Sequence, residues 1–311
     1  MIDRIGTLGL SQRLLSQYQD IQSRMARTQQ QISSGKVGTQ YADVKDQSGV
    51  LAAAKSKAAD VANYTAATKN VVDRLDLYDS QLQGFSDMTA RLRQALGDAL
   101  AMGSGTGFIE KVKALYAEAV NTLNTQVDGK YIYGGSRTDT PPVNAPTLND
   151  LLAAPSVAAV FDNTTLKQTD RLDNNETVTT GIVASDLATN LFQMFKDIAT
   201  YDASGSGPFG AKLDQAQNSF LSTQNVAVPA LQSAVDVAAA QNAAHHAQAT
   251  QALDRHTSMA TYFTKFISDI EDADLPTAIA KLNQDQVAAQ ASGRMIASLN
   301  QLSLLNFLPL R

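Results

Sequence analysis

Cysteine and tryptophan are both absent from the 311 residues. Without a thiol there is no disulfide framework, no thiolate metal site and no cysteine nucleophile. Aromatics make up only 6% of the chain and charged residues 18%, leaving Ala, Gln, Ser, Thr and Asn to fill it. Such a sequence is helix-rich and short of large core anchors. The formal net charge of −5, with no basic stripe, argues against a nucleic-acid partner, whose phosphates are met by Lys and Arg. No run approaches the ~18 apolar residues of a membrane span. Met1 to Leu15 hold Asp3, Arg4 and Arg13 in place of an apolar signal core, so no cleaved Sec-type signal is expected. Proline is missing before Pro141, then Pro141, Pro142, Pro146, Pro155 and Pro208 gather in the middle. Because proline removes a backbone donor and clashes with the preceding turn, helical order is expected to stop there.

What is present is a heptad pattern that runs out and back. One seam passes through Val61, Tyr64, Thr68, Val71, Leu75, Tyr78, Leu82, Phe85, Thr89, Leu92, Leu96 and Ala99. A second passes through Leu231, Val235, Ala238, Asn242, His245, Ala249, Ala252, His256, Met259, Phe263, Phe266 and Ile270. Three-four spacing sustained over about five heptads marks a long helix laid against partner helices. Each would extend roughly 60 Å at ~1.5 Å per residue. The second long helix is expected to follow Pro229, with a separate helical stretch through Leu213, Ala216 and Phe220 before it.

Shorter seams flank these. Leu14, Tyr18, Ile21, Met25, Thr28 and Ile32 lead to Ser33-Ser34-Gly35-Lys36, a glycine C-cap with a cation beside it. A polar connector follows from Val37 to about Gly49. Ala288, Ala291, Met295, Ser298, Leu302 and Leu305 form the seam of a last helix that starts around Pro276. Gly103-Ser104-Gly105-Thr106-Gly107 reads as a turn into a helix carrying Phe108, Val112, Leu115 and Ala119. From Tyr131 to about Gly181, alternation is short and Asn, Asp, Thr and Pro are frequent, with Thr177 to Val183 the best strand. Ser185 or Asp186 is expected to cap the helix through Leu187, Leu191, Phe192 and Phe195, which ends before the linker Asp202 to Pro208.

The pattern predicts a mainly α protein, an elongated antiparallel helical bundle with a small inserted α+β head. The expected division is a terminal helical domain of 1–35 and 275–311, a long-helix domain of 36–130 and 209–274, and a head of 131–208. The terminal seams hold few large residues. Ordering a residue costs roughly 1–2 kcal/mol, whereas burying a Leu or Ile returns roughly 1.5–3. The ends are therefore expected to be marginal alone and to become rigid on assembly. Leu302 to Leu310 places apolar groups on more than one helical face, as a partner surface does. The expected assembly residues are Leu14, Tyr18, Ile21, Met25 and Ile32 at one end, and Met295, Leu299, Leu302, Leu305, Phe307 and Leu308 at the other.

Catalytic readings fare poorly. His245 and His256 lie three helical turns apart, roughly 16 Å, too far to share a metal. Polar layers within a helix bundle account for them and for Asn242. Asp272 and Asp274 precede a helix start, where capping and the helix dipole explain both. The Gly103 to Gly107 stretch lacks the lysine of a phosphate loop. Tyr131 and Tyr133 read as cross-strand packing rather than a sugar-stacking surface. No nucleophile, base and orienting group converge, so no catalytic residue, metal or cofactor is expected.

Three stretches carry a resemblance. Gln29-Gln30-Gln31-Ile32-Ser33-Ser34-Gly35-Lys36, Gly129-Lys130-Tyr131-Ile132-Tyr133-Gly134-Gly135-Ser136-Arg137-Thr138-Asp139-Thr140-Pro141-Pro142 and Ile270-Glu271-Asp272-Ala273-Asp274 are similar to motifs of the bacterial flagellin family. The second resembles the branch of that family that joins hook to filament rather than the filament subunits. Tyr41 to Gly49 departs from the Asp-Asp-Pro-type stretch common in the family. The resemblance implies an extracellular, non-enzymatic subunit of the flagellum, exported by the flagellar type III system. It further implies self-assembly through the terminal helices. Partners would be a hook-side junction protein, filament flagellin and an export chaperone. A short filament flagellin, and more distantly a type III secreted coiled-coil effector or tip protein, are the alternative readings.

Overall fold

The computed structural model describes residues 2–38, 40, 43, 44 and 47–305; side chains are described within these except at 2–8, 11 and 299–305. Seven α-helices occur among the described residues: α1 (Ile2–Ser34), α2 (Ser48–Met102), α3 (Phe108–Leu123), α4 (Leu148–Ala153), α5 (Ala184–Ala203), α6 (Gln215–Glu271) and α7 (Leu275–Leu305). Two antiparallel hairpins accompany them, β1 (Gln126–Val127) with β2 (Lys130–Tyr131), and β3 (Thr169–Asp173) with β4 (Glu176–Thr179). The chain is thus mainly α with a small α+β insert. It forms two compact units, a terminal unit of 1–61 and 258–311 and a middle unit of 62–257.

In the middle unit, α2 and α6 run antiparallel. The Asn242 amide donates to the Leu75 carbonyl at 2.9 Å, and Gln232 Nε2 donates to Ser86 Oγ at 2.8 Å. The core lies where the α2 seam, from Tyr78 through Leu82, Phe85 and Leu92 to Leu96, meets α3, α5 and α6. Aromatics concentrate here. Phe192 touches Tyr116 and Phe161 at ring-centroid distances of 5.0 and 5.2 Å, and Tyr201 stacks on Phe220 at 4.1 Å.

The Gly134-Gly135 pair is fixed by close approach. A Cβ on Gly134 would lie 1.9 Å from the Arg137 carbonyl oxygen, and Gly135 has φ +67° with Thr164 against it. The turn delivers Tyr133 into the core, fully buried and edge-on to Tyr78, whose hydroxyl donates to the Ile132 carbonyl at 2.7 Å. Burial raises the Tyr78 hydroxyl to about 12 and pushes Tyr133 up further, so both stay neutral.

Four sequence expectations need correction. Pro229 does not separate two helices; it sits inside α6. An interior proline costs about 3 kcal/mol, but Leu221, Val228, Leu231 and Val235 are all buried around it, each returning roughly 1.5–3 kcal/mol. The strand expected at 177–183 ends at Thr179, because the amides of Thr180 and Gly181 both turn to the Gln168 carbonyl. Neither Ser185 nor Asp186 caps α5. The N-cap is Val183, and the Ser185 amide donates to Asn163 Oδ1 at 3.2 Å. Lastly, α2 begins at Ser48, well before the expected seam, because Leu51 and Ala54 are buried.

Candidate functional site

The terminal unit brings the two chain ends together. Helix α1 ends at Ser34, where the Gly35 amide returns to the Gln31 carbonyl at 2.8 Å with φ +69°, the left-handed stop expected of a C-terminal glycine. Released from the helix, Lys36 pairs with Asp272 in an antiparallel bridge. The Val37 amide donates to the Glu271 carbonyl at 2.7 Å, and the Ala273 amide donates to the Gly35 carbonyl at 2.9 Å. The first and third of the resembling sequence stretches thus meet across a two-bond backbone bridge.

Charge reinforces the crossing. Lys36 Nζ lies 2.6 Å from Asp272 and 3.5 Å from Glu271, and Glu271 is also paired with Lys55 of α2. Asp272 accepts a further bond from Ser268 Oγ. The bond from Lys36 holds the Asp272 carboxyl below its ordinary range, and Lys55 does the same for Glu271. Asp274 caps α7: its oxygens accept from the Thr277 hydroxyl at 2.7 Å and amide at 3.2 Å, which lowers it too. Of the two carboxylates read as helix caps, Asp274 is one and Asp272 is an ion-pair partner instead.

A carboxylate with a depressed folded pKa contributes stability above its unfolded value and loses it as pH falls through the folded one. The crossing is therefore insensitive to acid down to about pH 4 and weakens below it. A carbon-detected carboxyl titration is expected to place the midpoints of Asp272 and Asp274 below those of the same residues in short peptides. Midpoints equal to the peptide values would contradict the arrangement.

Beyond the crossing, α1 and α7 pack along each other in opposite directions, with Arg24 Nη2 and Nε both donating to Asp285 Oδ1 at 2.9 and 3.3 Å. Few of their described apolar side chains are buried. Among described side chains of the terminal unit, the buried apolar residues are Ile21, Leu51, Ala54, Val61 and Ala278. Its exposed large ones are far more numerous and include Leu10, Leu15, Tyr262, Ile279, Val287 and Met295. Of the residues expected to meet partners, Ile21 faces inward, Leu14, Tyr18, Met25 and Ile32 are half-buried, and Met295 is exposed. Leu299, Leu302 and Leu305 fall on α7 with no side chain described, and Phe307 and Leu308 lie outside the described residues. The connector expected at 37–49 also lies partly outside them. Sequence reasoning passed over Leu15, Ile279 and Val287 because they sit off the heptad seam, and only the helix pairing shows that off-seam positions face outward.

The polar seam residues of the middle unit have a structural task. His256 is buried, its Nε2 2.9 Å from the Leu172 carbonyl, its ring stacked on Tyr64 at 5.7 Å. Thr68 also donates to that carbonyl, and Tyr64 Oη donates to Asn174 Oδ1 at 2.7 Å. Both α2 and α6 thereby grip the β3–β4 hairpin, with Arg74 on Asp170 and Arg255 on Glu176. His246 lies 3.0 Å from Asp76. No group of three His, Asp or Glu side chains suited to a metal occurs among the described residues, and no described helix is long and apolar enough to cross a membrane. Clefts of about 250 Å³ and about 630 Å³ lie beside His245 and Arg74.

Long antiparallel helices, an α+β insert and ends bridged to each other define a helical scaffold. Residues 227–308 match the family described as the bacterial flagellin C-terminal helical region. A protein from Vibrio parahaemolyticus described as a flagellar hook-associated protein superposes with a TM-score of 0.60 at 14% identity, over 72% of this chain and 97% of that one. FlgL of Bacillus cereus aligns at 15% identity over 78% of this chain and 98% of its own, with a TM-score of 0.36. No match is found among curated protein sequences. Residues 227–308 are thus similar to a flagellin C-terminal helical region, and the fold is similar to that of the Vibrio protein.

Proposed function

We propose that this chain is a non-enzymatic structural subunit of the bacterial flagellum that self-assembles through its terminal helices and joins hook to filament. The observation that carries this reading is the imbalance among the described side chains of the terminal unit, where exposed large apolar residues outnumber buried ones. A helix pair so arranged lacks a core of its own and acquires one only from neighbours. The match of residues 227–308 to a flagellin C-terminal helical region supports a flagellar assembly as their source. On this reading, 1–35 and 275–311 are the assembly segments, 36–130 and 209–274 the long-helix layer and 131–208 the outward head. The neighbours are copies of the chain, a hook-side junction protein and filament flagellin. A chaperone covers the ends before export, and the working location is outside the cell.

Gene deletion tests the assignment. Loss of the filament with the hook retained, and with flagellin released into the medium, is the expected phenotype. A filament that persists with altered composition would instead identify a filament subunit.

A further inference from the structure

We propose that the crossing of Gly35–Val37 with Glu271–Ala273 is an ion-sensitive clasp that sets whether the α1–α7 pair is held closed, separately from the 62–257 core. The argument starts from what else holds the pair. Ile21 is its one large buried apolar side chain among those described; Thr28, Ala278 and Ser292, the others buried there, are small. Exposed ion pairs add little to a protein with a large core. Here the apolar contribution is slight, so local opening lies at the low end of the stability range and a modest joint decides it.

The joint has two parts with different responses. The backbone bonds, Val37 to Glu271 at 2.7 Å and Ala273 to Gly35 at 2.9 Å, form only when the two segments lie alongside each other. What brings them alongside is charge. Lys36 is shared between Asp272 and Glu271, and Glu271 is fastened in turn to Lys55. Lys36 and Asp272 are 44% and 45% exposed, so dissolved ions reach them directly. The screening length shrinks from ~10 Å at 0.1 M salt to ~3 Å at 1 M, about the length of the Lys36–Asp272 contact itself. Salt therefore weakens the attraction that aligns the segments, and the backbone bonds open more often with it. The middle unit also carries ion pairs, but it is closed by fully buried residues such as Leu75, Phe85 and Phe192, so screening changes its opening far less.

Amide hydrogen exchange on the full chain tests this, with the 62–257 amides as an internal standard of folding. Raising NaCl to about 1 M is expected to speed exchange in 12–34 and 276–298 about 5-fold and leave 62–257 unchanged. Lys36→Asp and Asp272→Lys should each give the fast exchange already at low salt and lose the salt response. Combining them restores a pair of opposite charge and should restore both the slow exchange and its salt dependence. Three results would overturn the proposal: no salt response in the unaltered chain, single variants that exchange like it, or a double variant as fast as the singles. Ends that exchange as fast as an unstructured peptide at low salt would overturn it as well.

Discussion

Leu15→Asp together with Met295→Asp is expected to weaken self-association about 10³-fold while leaving the melting temperature of the protein unchanged. Both side chains are about half exposed, at 50% and 49%, so neither contributes much to the fold of the free chain. If the proposed assembly covers their remaining apolar area, that burial is worth about 1 kcal/mol each, half of a full side-chain burial. A carboxylate in the same place adds the cost of desolvating an unpaired charge, so ~4 kcal/mol for the pair is a conservative total, close to 10³ in an association constant. Surface substitutions away from caps and cores stay within about 0.5 kcal/mol of stability. Sedimentation velocity reads the first quantity and circular dichroism melting the second. Unchanged association in the double variant would mean that α1 and α7 meet neighbours through another face. An equal loss of Tm would mean that both residues support the fold instead.

The long helices were legible because their signal is repeated. A seam of Leu75, Tyr78, Leu82, Phe85, Leu92 and Leu96 has no reading other than a buried helix face, and all six are buried. The helix stop at Gly35 and the start after Asp274 were legible from local chemistry, since only glycine fits φ +69° easily and Asp is a strong N-cap. Two further local signals were present and passed over. Asp214 and Gln217 form a reciprocal cap at the start of α6, through bonds of 2.7 and 3.1 Å, where the Leu213, Ala216 and Phe220 stretch already reads as helical. Asp128-Gly129, both at positive φ, make the β1–β2 turn, as that dipeptide does in two-residue hairpins. The crossing itself could not be read. Lys36 and Asp272 are 236 residues apart, and nothing local distinguishes a lysine that closes such a bridge from one that faces water. Likewise, whether Ile21 or Leu15 looks outward depends on where α7 lies, which no periodicity within α1 contains.

Phe192→Ala is expected to destabilise the middle unit by about 3–5 kcal/mol, the usual range for truncating a buried aromatic. Phe192 is fully buried, stacked on Phe161 at 5.2 Å, against Tyr116 at 5.0 Å and beside Phe195 at 6.4 Å. Removing the ring leaves a void bounded by groups that cannot collapse easily. Tyr116 is held by its hydroxyl bond to the Ala145 carbonyl at 2.7 Å, and Phe195 lies on the same helix. For a unit of this size each kcal/mol lowers Tm by about 2–4 °C, so a fall of about 6–20 °C follows. Tyr262→Ala supplies the contrast: that ring is 62% exposed in the terminal unit, and its loss should shift Tm by no more than about 1–2 °C. The two substitutions remove aromatics of similar size from a chain that has few, so the difference between them measures environment rather than residue type. If Tyr262→Ala proved as costly as Phe192→Ala, the terminal unit would possess a core that its burial pattern denies. The need for neighbours, on which the assembly reading depends, would then disappear.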